Sequence, residues 1–233
     1  MAEFSVAQIQ LAAEEGGWCD KPNDRGGETN RGWSMLSICR FGIPPSELGL
    51  TTPWGDDTWA PFGIGCATIL QKIYDGWRAG RSTQTTLHAL QAGLDPAKNE
   101  AVGPGRGILK PLTQTASDAA YLKHFWTPNH FGEITDQRVA TKIYSNTVLT
   151  GPEAIKLAQQ AVNGMGGQLV DDGQIGQHTI DALNGEDPQA FIDAYSDALV
   201  AHYRAVVAAT PSDADFLPNW IHRANWQRTP IAP

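Results

Sequence analysis

The sequence predicts a mainly α-helical protein of two lobes, with a small β-hairpin near its start. Apolar residues recur at helical spacing along much of the chain, most clearly in the last third. The residues of that clearest stripe are Phe191, Ile192, Tyr195, Leu199 and Tyr203. Glycine and proline pairs separate the stripes and mark helix ends and loops. With 233 residues, the chain can bury a substantial core as one large domain or two small lobes.

The first predicted helix starts near Phe4 and ends at Gly16-Gly17. Its apolar residues, which include Val6, Ile9 and Leu11, have roughly helical spacing. Two glycines are a common way to end a helix in a left-handed turn. Glu15 is therefore expected in the last helical turn.

Glu15 is the first candidate catalytic residue. The last turn of a helix has unpaired carbonyl groups, whose partial negative charge disfavours a carboxylate beside them. Trp18 follows closely and is placed to cover the carboxyl group from water. We expect both effects to favour the protonated acid, which is the form that a general acid needs.

A second carboxylate and a hydroxyl follow Glu15. Residues 22–27 have typical turn sequences, so the chain is expected to double back as a loop or hairpin over residues 22–34. Asp24 and Thr29 would then return toward the glutamate. An acid, a base and a hydroxyl that holds a water are the minimal set for hydrolysing a glycosidic bond.

A purely structural interpretation competes with this one. A glutamate before two glycines can be an ordinary helix end, and residues 24–27 can be an ordinary surface turn. Each feature alone favours that interpretation. Their combination in one segment with Trp18 and Trp33, and with few apolar residues that would make the segment core, favours a functional site.

The rest of the chain is predicted to consist of helices joined by loops. Apolar stripes and turn residues place further helices over residues 35–41, 64–80, 85–92, 113–127, 139–148, 152–162, 177–183 and 187–209. Residues 49–61 and 93–110 are predicted loops, because turn-forming residues are frequent there. The glycines of residues 103–107 lack a preceding strand and a following lysine and hydroxyl, so a phosphate-binding loop is not indicated.

Charge and composition limit the partners. The net charge is -8, and no basic stripe is present to neutralise phosphates, so we expect no nucleic-acid partner. The same charge disfavours long-range attraction to an anionic cell wall, although Arg31 and Lys110 belong to a small set of bases that can form a local positive surface. Eight tryptophans supply aromatic faces that suit sugar rings as well as a core. No segment has the length of a membrane span, so no membrane insertion is predicted.

The sequence predicts no metal site and no cofactor. The histidines are scattered without ligand spacing: His88, His124, His130, His178, His202 and His222. There is no Gly-x-Ser-x-Gly motif, and no histidine context marks Cys19 as a nucleophile. Three cysteines cannot all pair within one chain, so free thiols are expected, with a Cys19–Cys39 disulfide as the alternative in an oxidising compartment.

The segment around Glu15 also resembles a known family. Glu15-Gly16-Gly17-Trp18, followed by Asp24-Arg25-Gly26-Gly27-Glu28-Thr29-Asn30-Arg31-Gly32, resembles the signature of glycoside hydrolase family 108. Its members are N-acetylmuramidases of phage endolysins and bacterial secretion-associated lysozymes. Where this chain has Gly32-Trp33-Ser34, the family usually has Gly-Ile-Thr, so a large aromatic replaces an aliphatic residue beside the site. The resemblance resumes near Leu112 and leaves residues of about 43–110 as an insertion.

The resemblance implies a lysozyme-like fold and a set of roles. Glu15 would be the essential acid, while Asp24 and Thr29 would position the water that attacks the β-1,4 bond between N-acetylmuramic acid and N-acetylglucosamine. Carboxyl groups about 6.5–9.5 Å apart would give inversion at the sugar. Candidates for binding the glycan strand are Trp18, Glu28, Asn30, Trp33, Ser34 and Tyr121. For Tyr121, core packing is the competing interpretation.

Residues 1–136 are expected to form the catalytic lobe, and residues 137–233 a C-terminal helical lobe that makes the opposite wall of the cleft. Residues 171–179 resemble the Asp-Gly-x-x-Gly-x-x-Thr turn of peptidoglycan-binding helical modules. The expected partner is the glycan strand of peptidoglycan, bound by a monomer. The N-terminus lacks the pattern of a signal peptide. The expected route is therefore synthesis in the cytoplasm and release to the periplasm or cell wall, through a holin if this is a phage lysis enzyme.

Two other functions remain open at this point. In a lytic transglycosylase, Glu15 would act as both acid and base, a hydroxyl of the sugar would attack, and Asp24 would not be needed. A non-catalytic wall-binding or virion protein would keep the fold without the reaction.

Overall fold

The computed structural model describes residues 1–19, 29–50, 66–81, 86 and 109–229. These residues are mainly α-helical and include one small antiparallel sheet, which confirms the predicted fold class. Contacts divide the chain into two compact units. One consists of Ala12–Tyr121, and the other consists of Met1–Leu11 together with Leu122–Pro233. The predicted boundary between residues 136 and 137 stays a prediction.

The described residues of Ala12–Tyr121 include the end of the first helix, a hairpin and further helices. These elements are α1 (Phe4–Glu15), β1 (Thr29–Asn30), β2 (Trp33–Ser34), α2 (Met35–Phe41), α3 (Cys66–Arg78) and α4 (Gln114–Tyr121). The observed bounds of α2 are those that the sequence predicts. Helix α3 lies within the predicted range 64–80.

The hairpin is the element that shapes the candidate site. Asn30 pairs with Trp33 and Thr29 with Ser34, so only Arg31 and Gly32 form the turn. Both have positive φ, 52° and 80°, as the tight turn of type I′ requires at its two central residues. The hairpin predicted for residues 22–34 is observed at residues 29–34, and residues 22–28 lie outside the described part of the chain.

Helix α2 follows the hairpin directly and is capped at both ends. Ser34 begins it with a capping box, in which the Ser34 hydroxyl accepts from Ser37 N–H at 3.1 Å and the Ser37 hydroxyl accepts from Ser34 N–H at 2.9 Å. Gly42, with φ of 63°, ends it in a left-handed turn. These caps fix the direction in which the chain leaves β2.

The other unit contains the remaining helices. They are α5 (Gln137–Thr150), α6 (Pro152–Gly164), α7 (Gln177–Gly185), α8 (Pro188–Ala209) and α9 (Leu217–Ala224). Asp136 and Asp187 cap α5 and α8. The predicted apolar stripe of α8 is buried along its length.

An aromatic cluster and one buried lysine hold this unit together. Trp126 packs edge-on against Phe4 and Tyr144, at centroid distances of 5.7 and 5.3 Å, so Trp126 belongs to the core. The fully buried Lys142 donates to the carbonyls of Ala224 and Trp226, both at 2.6 Å. Lys142 thereby satisfies carbonyl groups at the end of α9.

Several predictions fall outside the described residues. They concern Asp24, Glu28, most of the loops predicted at 49–61 and 93–110, and the helix predicted at 85–92, of which the structure describes Thr86 alone. Cys19 and Cys39 are described and are not joined by a disulfide. None of the described helices combines the length and the apolar character that crossing a lipid bilayer requires.

Candidate active site

Glu15 is the last residue of α1, as the sequence predicts. Gly16 follows in the left-handed region, with φ of 64°, and ends the helix. The Glu15 side chain is half-buried rather than fully exposed to solvent. An acid at this position remains accessible to a ligand while the protein shields part of it.

The glutamate packs against the turn of the hairpin. A methyl group added at the α-carbon of Gly32 would come within 2.8 Å of Oε2 of Glu15 and would overlap the hydroxyl oxygen of Tyr121. The carboxyl group and the phenol hydroxyl therefore converge on the one residue of the turn that has no side chain. Helix α1, the hairpin and helix α4 each contribute one of these three groups.

Tyr121 joins α4 to the same turn. Its hydroxyl donates to the backbone carbonyl of Arg31 at 3.1 Å, and its ring packs on Trp33 with centroids 4.7 Å apart. Both rings are buried, with 2% of Tyr121 and 1% of Trp33 exposed. The two aromatic residues form the support beneath Glu15 and Gly32, and a role for either in substrate binding stays a prediction.

Thr29 lies at the start of β1 and pairs with the chain that leaves Glu15. Its backbone exchanges two hydrogen bonds with Cys19, both 2.8 Å long, and its half-buried hydroxyl donates to the Cys19 carbonyl at 3.5 Å. The residues that flank positions 20–28 are thus direct neighbours. This segment carries Asp24, which lies outside the described residues, as does Glu28.

Asn30 and Ser34 make contacts within the protein. Asn30 is 4% exposed, and its amide donates to the carbonyls of Leu109 and Lys110 at 2.7 and 3.3 Å. Ser34 caps α2. The predicted role of both residues in binding a glycan strand stays a prediction.

Among the predicted binding residues that the structure describes, Trp18 is the most open to solvent. It is 41% exposed, and the ammonium of Lys110 lies 5.2 Å from the centroid of its ring. This distance is within the range of cation–π attraction. A flat aromatic surface and a positive charge thus lie side by side.

The part of the chain that the structure describes contains no group of three histidine, cysteine, aspartate or glutamate side chains arranged to hold a metal ion.

The turn after α6 has a polar centre that the sequence pattern alone does not show. Gln159, 1% exposed, donates to Asp172 Oδ1 at 3.1 Å and to the Gln174 carbonyl at 2.9 Å, and accepts from Gly173 N–H at 3.0 Å. Gly173 has φ of 77° and lies too close to the Pro152 carbonyl for a side chain. The Asp-Gly turn therefore folds around one buried glutamine.

Sequence patterns did not identify the structural roles of Gly32 and Gln159. Gly32 could have been found from the short Arg-Gly turn between residues with strand propensity, a typical hairpin signal. Gln159 carries no such signal, because its partners lie on the far side of a loop and are known only after folding.

Comparisons with known proteins show that part of the chain is similar to a predicted peptidoglycan domain. Residues 153–225 match the family model described as "Predicted Peptidoglycan domain". The match covers less than half of the chain. The structure of Brucella abortus SagA is similar, with a TM-score of 0.57 and 19% identity over 97% of this chain and 91% of that chain. At this identity, the similarity shows a shared fold. No curated protein sequence matches the chain. The chain thus contains a region similar to predicted peptidoglycan domains, within a fold shared with SagA.

Proposed function

We propose that this protein cleaves the glycan strand of peptidoglycan as an N-acetylmuramidase, with Glu15 as the general acid. The observation that carries the proposal is the half-buried carboxyl group of Glu15, which packs against Gly32 beside the hydroxyl of Tyr121. An acid held by surrounding groups at the end of a helix is suited to protonate a leaving oxygen. The similarity of residues 153–225 to a predicted peptidoglycan domain supports the choice of polymer.

The proposed reaction is hydrolysis of the β-1,4 bond between N-acetylmuramic acid and N-acetylglucosamine. Glu15 gives its proton to the glycosidic oxygen as the bond from that oxygen to the anomeric carbon breaks. Positive charge develops on the sugar ring, and a water attacks the anomeric carbon. Asp24 takes a proton from that water, and Thr29 helps to hold it. The products are two shorter strands, one of which ends in a reducing sugar.

Thr29 supports this arrangement through its backbone. Because Thr29 and Cys19 exchange two hydrogen bonds, the residues on either side of the segment that contains Asp24 lie next to each other. Cys19, the first of them, follows Glu15 closely in the chain. The protein would act as a monomer on glycan strands in the periplasm or cell wall. If it is a phage lysis enzyme, a holin would release it there.

The test compares wild type with Glu15→Gln on purified sacculi and on Gram-negative cells with permeabilised outer membranes. The rate of turbidity loss should be more than about a hundredfold lower in the variant, because the variant lacks the general acid. Glu14→Gln is the matched control, because it makes the same change at the preceding residue of α1 and should keep wild-type activity. Lysis by Glu15→Gln within a few-fold of wild type would overturn the proposal.

Product analysis separates hydrolysis from the transglycosylase alternative. Mass spectrometry of the digest should show reducing ends, and Asp24→Asn should abolish the reaction. Anhydro-muramic ends together with full activity of Asp24→Asn would instead assign a lytic transglycosylase. Sedimentation with sacculi but no cleavage by the wild type would indicate a wall-binding protein.

A further inference from the structure

Trp18 and Lys110 form an exposed pair within the same compact unit as Glu15. The Lys110 ammonium lies 5.2 Å from the centroid of the Trp18 ring, and both side chains are open to solvent. Attraction between the cation and the aromatic face favours this placement. A ligand that reaches the pair would meet an apolar surface and a positive charge side by side.

The backbone that carries Lys110 is fixed to the hairpin. The buried amide of Asn30 donates to the carbonyls of Leu109 and Lys110, and Nε of Arg31 donates to the carbonyl of Leu112 at 3.1 Å. These bonds join residues about eighty positions apart along the chain. Because residues 109–112 are held in this way, the backbone of Lys110 is positioned before any ligand arrives, which lowers part of the entropic cost of binding.

Lys110 is also available to an anion. Across the described residues, no carboxylate forms an ion pair with the Lys110 ammonium, which lies over the Trp18 ring. The chain as a whole has a net charge of -8, so an anionic ligand would be repelled by most of the surface. A positive charge beside an exposed tryptophan is therefore a local exception on this acidic chain.

We infer that Trp18 and Lys110 form a subsite for a carboxylate-bearing amino sugar. The C–H face of the sugar ring packs on the exposed part of the indole, and the carboxylate meets the Lys110 ammonium. This inference rests on the proposed function, which supplies the glycan strand. It adds that the site selects an acidic sugar over the neutral polymer of N-acetylglucosamine.

Two sources can supply the carboxylate. In strands stripped of their peptides, the lactyl ether of muramic acid ends in a free carboxylate. In intact strands that group is bound to the stem peptide, whose own carboxylates are then the anions nearest the ring. The chemistry that Lys110 recognises is the same in both cases.

The experiment measures binding by calorimetry in a Glu15→Gln background, so that the strands are not cleaved. Lys110→Gln, Trp18→Ala and the control Lys72→Gln are each added to that background. Lys72 is an exposed lysine of α3, so its variant removes the same charge elsewhere on this unit. The ligands are stripped strands, peptide-bearing strands and chitin oligosaccharides.

Lys110→Gln should weaken binding of at least one acidic ligand by about fivefold and leave chitin oligosaccharides unchanged. The effect should shrink at high salt, because screening weakens an exposed ion pair. Trp18→Ala should weaken all three ligands by about tenfold, since each loses the ring surface. A loss confined to peptide-bearing strands assigns the carboxylate to the peptide, and a loss on stripped strands assigns it to the lactyl group.

Unchanged binding of both acidic ligands in Lys110→Gln would overturn the subsite, as would an equal loss for chitin oligosaccharides. Melting temperatures within about 2 °C of the parent show that the exposed substitutions leave the fold intact. The proposed function is tested separately. Cleavage by Glu15→Gln would overturn it and leave the binding comparison valid, whereas a failed binding comparison would not affect the role of Glu15.

Discussion

The carboxyl group of Glu15 lies against the α-carbon of Gly32, so that a methyl group there would come within 2.8 Å of its Oε2. Gly32 has φ of 80° in the turn of the hairpin, and the hydroxyl of Tyr121 approaches it as well. The place of the candidate acid thus depends on a residue without a side chain. Two separate demands, the backbone angle and the close approach, are met by the same glycine.

Gly32→Ala should lower wall-lysing activity at least tenfold, because the methyl group displaces Glu15 or Tyr121. It should also destabilise the protein by about 1–2 kcal/mol through backbone strain at positive φ. Gly80→Ala is the matched control. Gly80 has φ of 73°, and nothing lies within 4 Å of the position of an added methyl group. Thermal unfolding should show at least as much destabilisation for Gly32→Ala as for Gly80→Ala, because only the methyl group at Gly32 also meets other side chains. Turbidity assays should show a loss of activity only at Gly32, and equal activities would contradict the prediction.

Tyr121→Phe should reduce activity by several-fold and stability by about 1 kcal/mol. The variant keeps the ring that packs on Trp33 but loses the hydrogen bond to the Arg31 carbonyl, which is then left without this donor. Tyr195→Phe is a suitable control, because its hydroxyl makes a similar buried bond to the Ala154 carbonyl at 3.0 Å in the other unit. Equal activities of the two variants would show that the Tyr121 hydroxyl contributes to stability and not to activity.

Gln159→Leu should destabilise the protein by about 2–3 kcal/mol, since Gly173 N–H loses its buried acceptor and Asp172 loses a donor. Gln160→Leu is the neighbouring control. Gln160 is exposed, and its amide donates to Asp171 Oδ2 at 2.8 Å, so its replacement should cost less than about 0.5 kcal/mol. Chemical denaturation measures both differences, and a smaller loss at Gln159 than at Gln160 would contradict a structural role for the glutamine.

Asp136 makes the stability of the protein depend on pH. Burial acts to raise the pKa of Asp136, but hydrogen bonds from the Arg138 side chain and from the backbone of Val139 and Arg138 outweigh it and hold the pKa below its usual value. A carboxyl group with a lowered pKa in the folded state stabilises the protein above the pKa of the unfolded chain. That contribution is lost as the pH falls through the folded-state pKa, below about 4.

At neutral pH, wild type should therefore melt at a higher temperature than Asp136→Asn. The gap between the two melting temperatures is measured from pH 2.5 to 7. The gap should narrow as the pH falls below about 4, because the wild-type carboxyl group then becomes neutral like the amide. Asparagine keeps the capability to cap α5, so the comparison isolates the charge. A gap that stays constant over the whole range would show that the charge of Asp136 does not contribute.

Most helices could be predicted because their signals are local. The stripe of α8 and its capping residue Asp187 lie within the helix or directly before it. Residues 29–34 were expected to form part of a hairpin, and the turn at Arg31-Gly32 is consistent with that expectation. The roles of Asn30 and Ser34 were less accessible, since a polar residue looks the same in a sequence whether it meets a ligand, a helix end or a distant carbonyl.

By itself, the sequence predicted most of the helices and the position of Glu15 at the end of α1. Only the tertiary structure decided that Glu15 meets Gly32 and Tyr121, that Asn30 holds residues 109 and 110, and that Lys110 lies over Trp18. The physical reason is the range of the interactions. Helix periodicity, caps and turns depend on neighbours a few positions apart, whereas these contacts join residues that are distant in the chain and become neighbours only when the core packs.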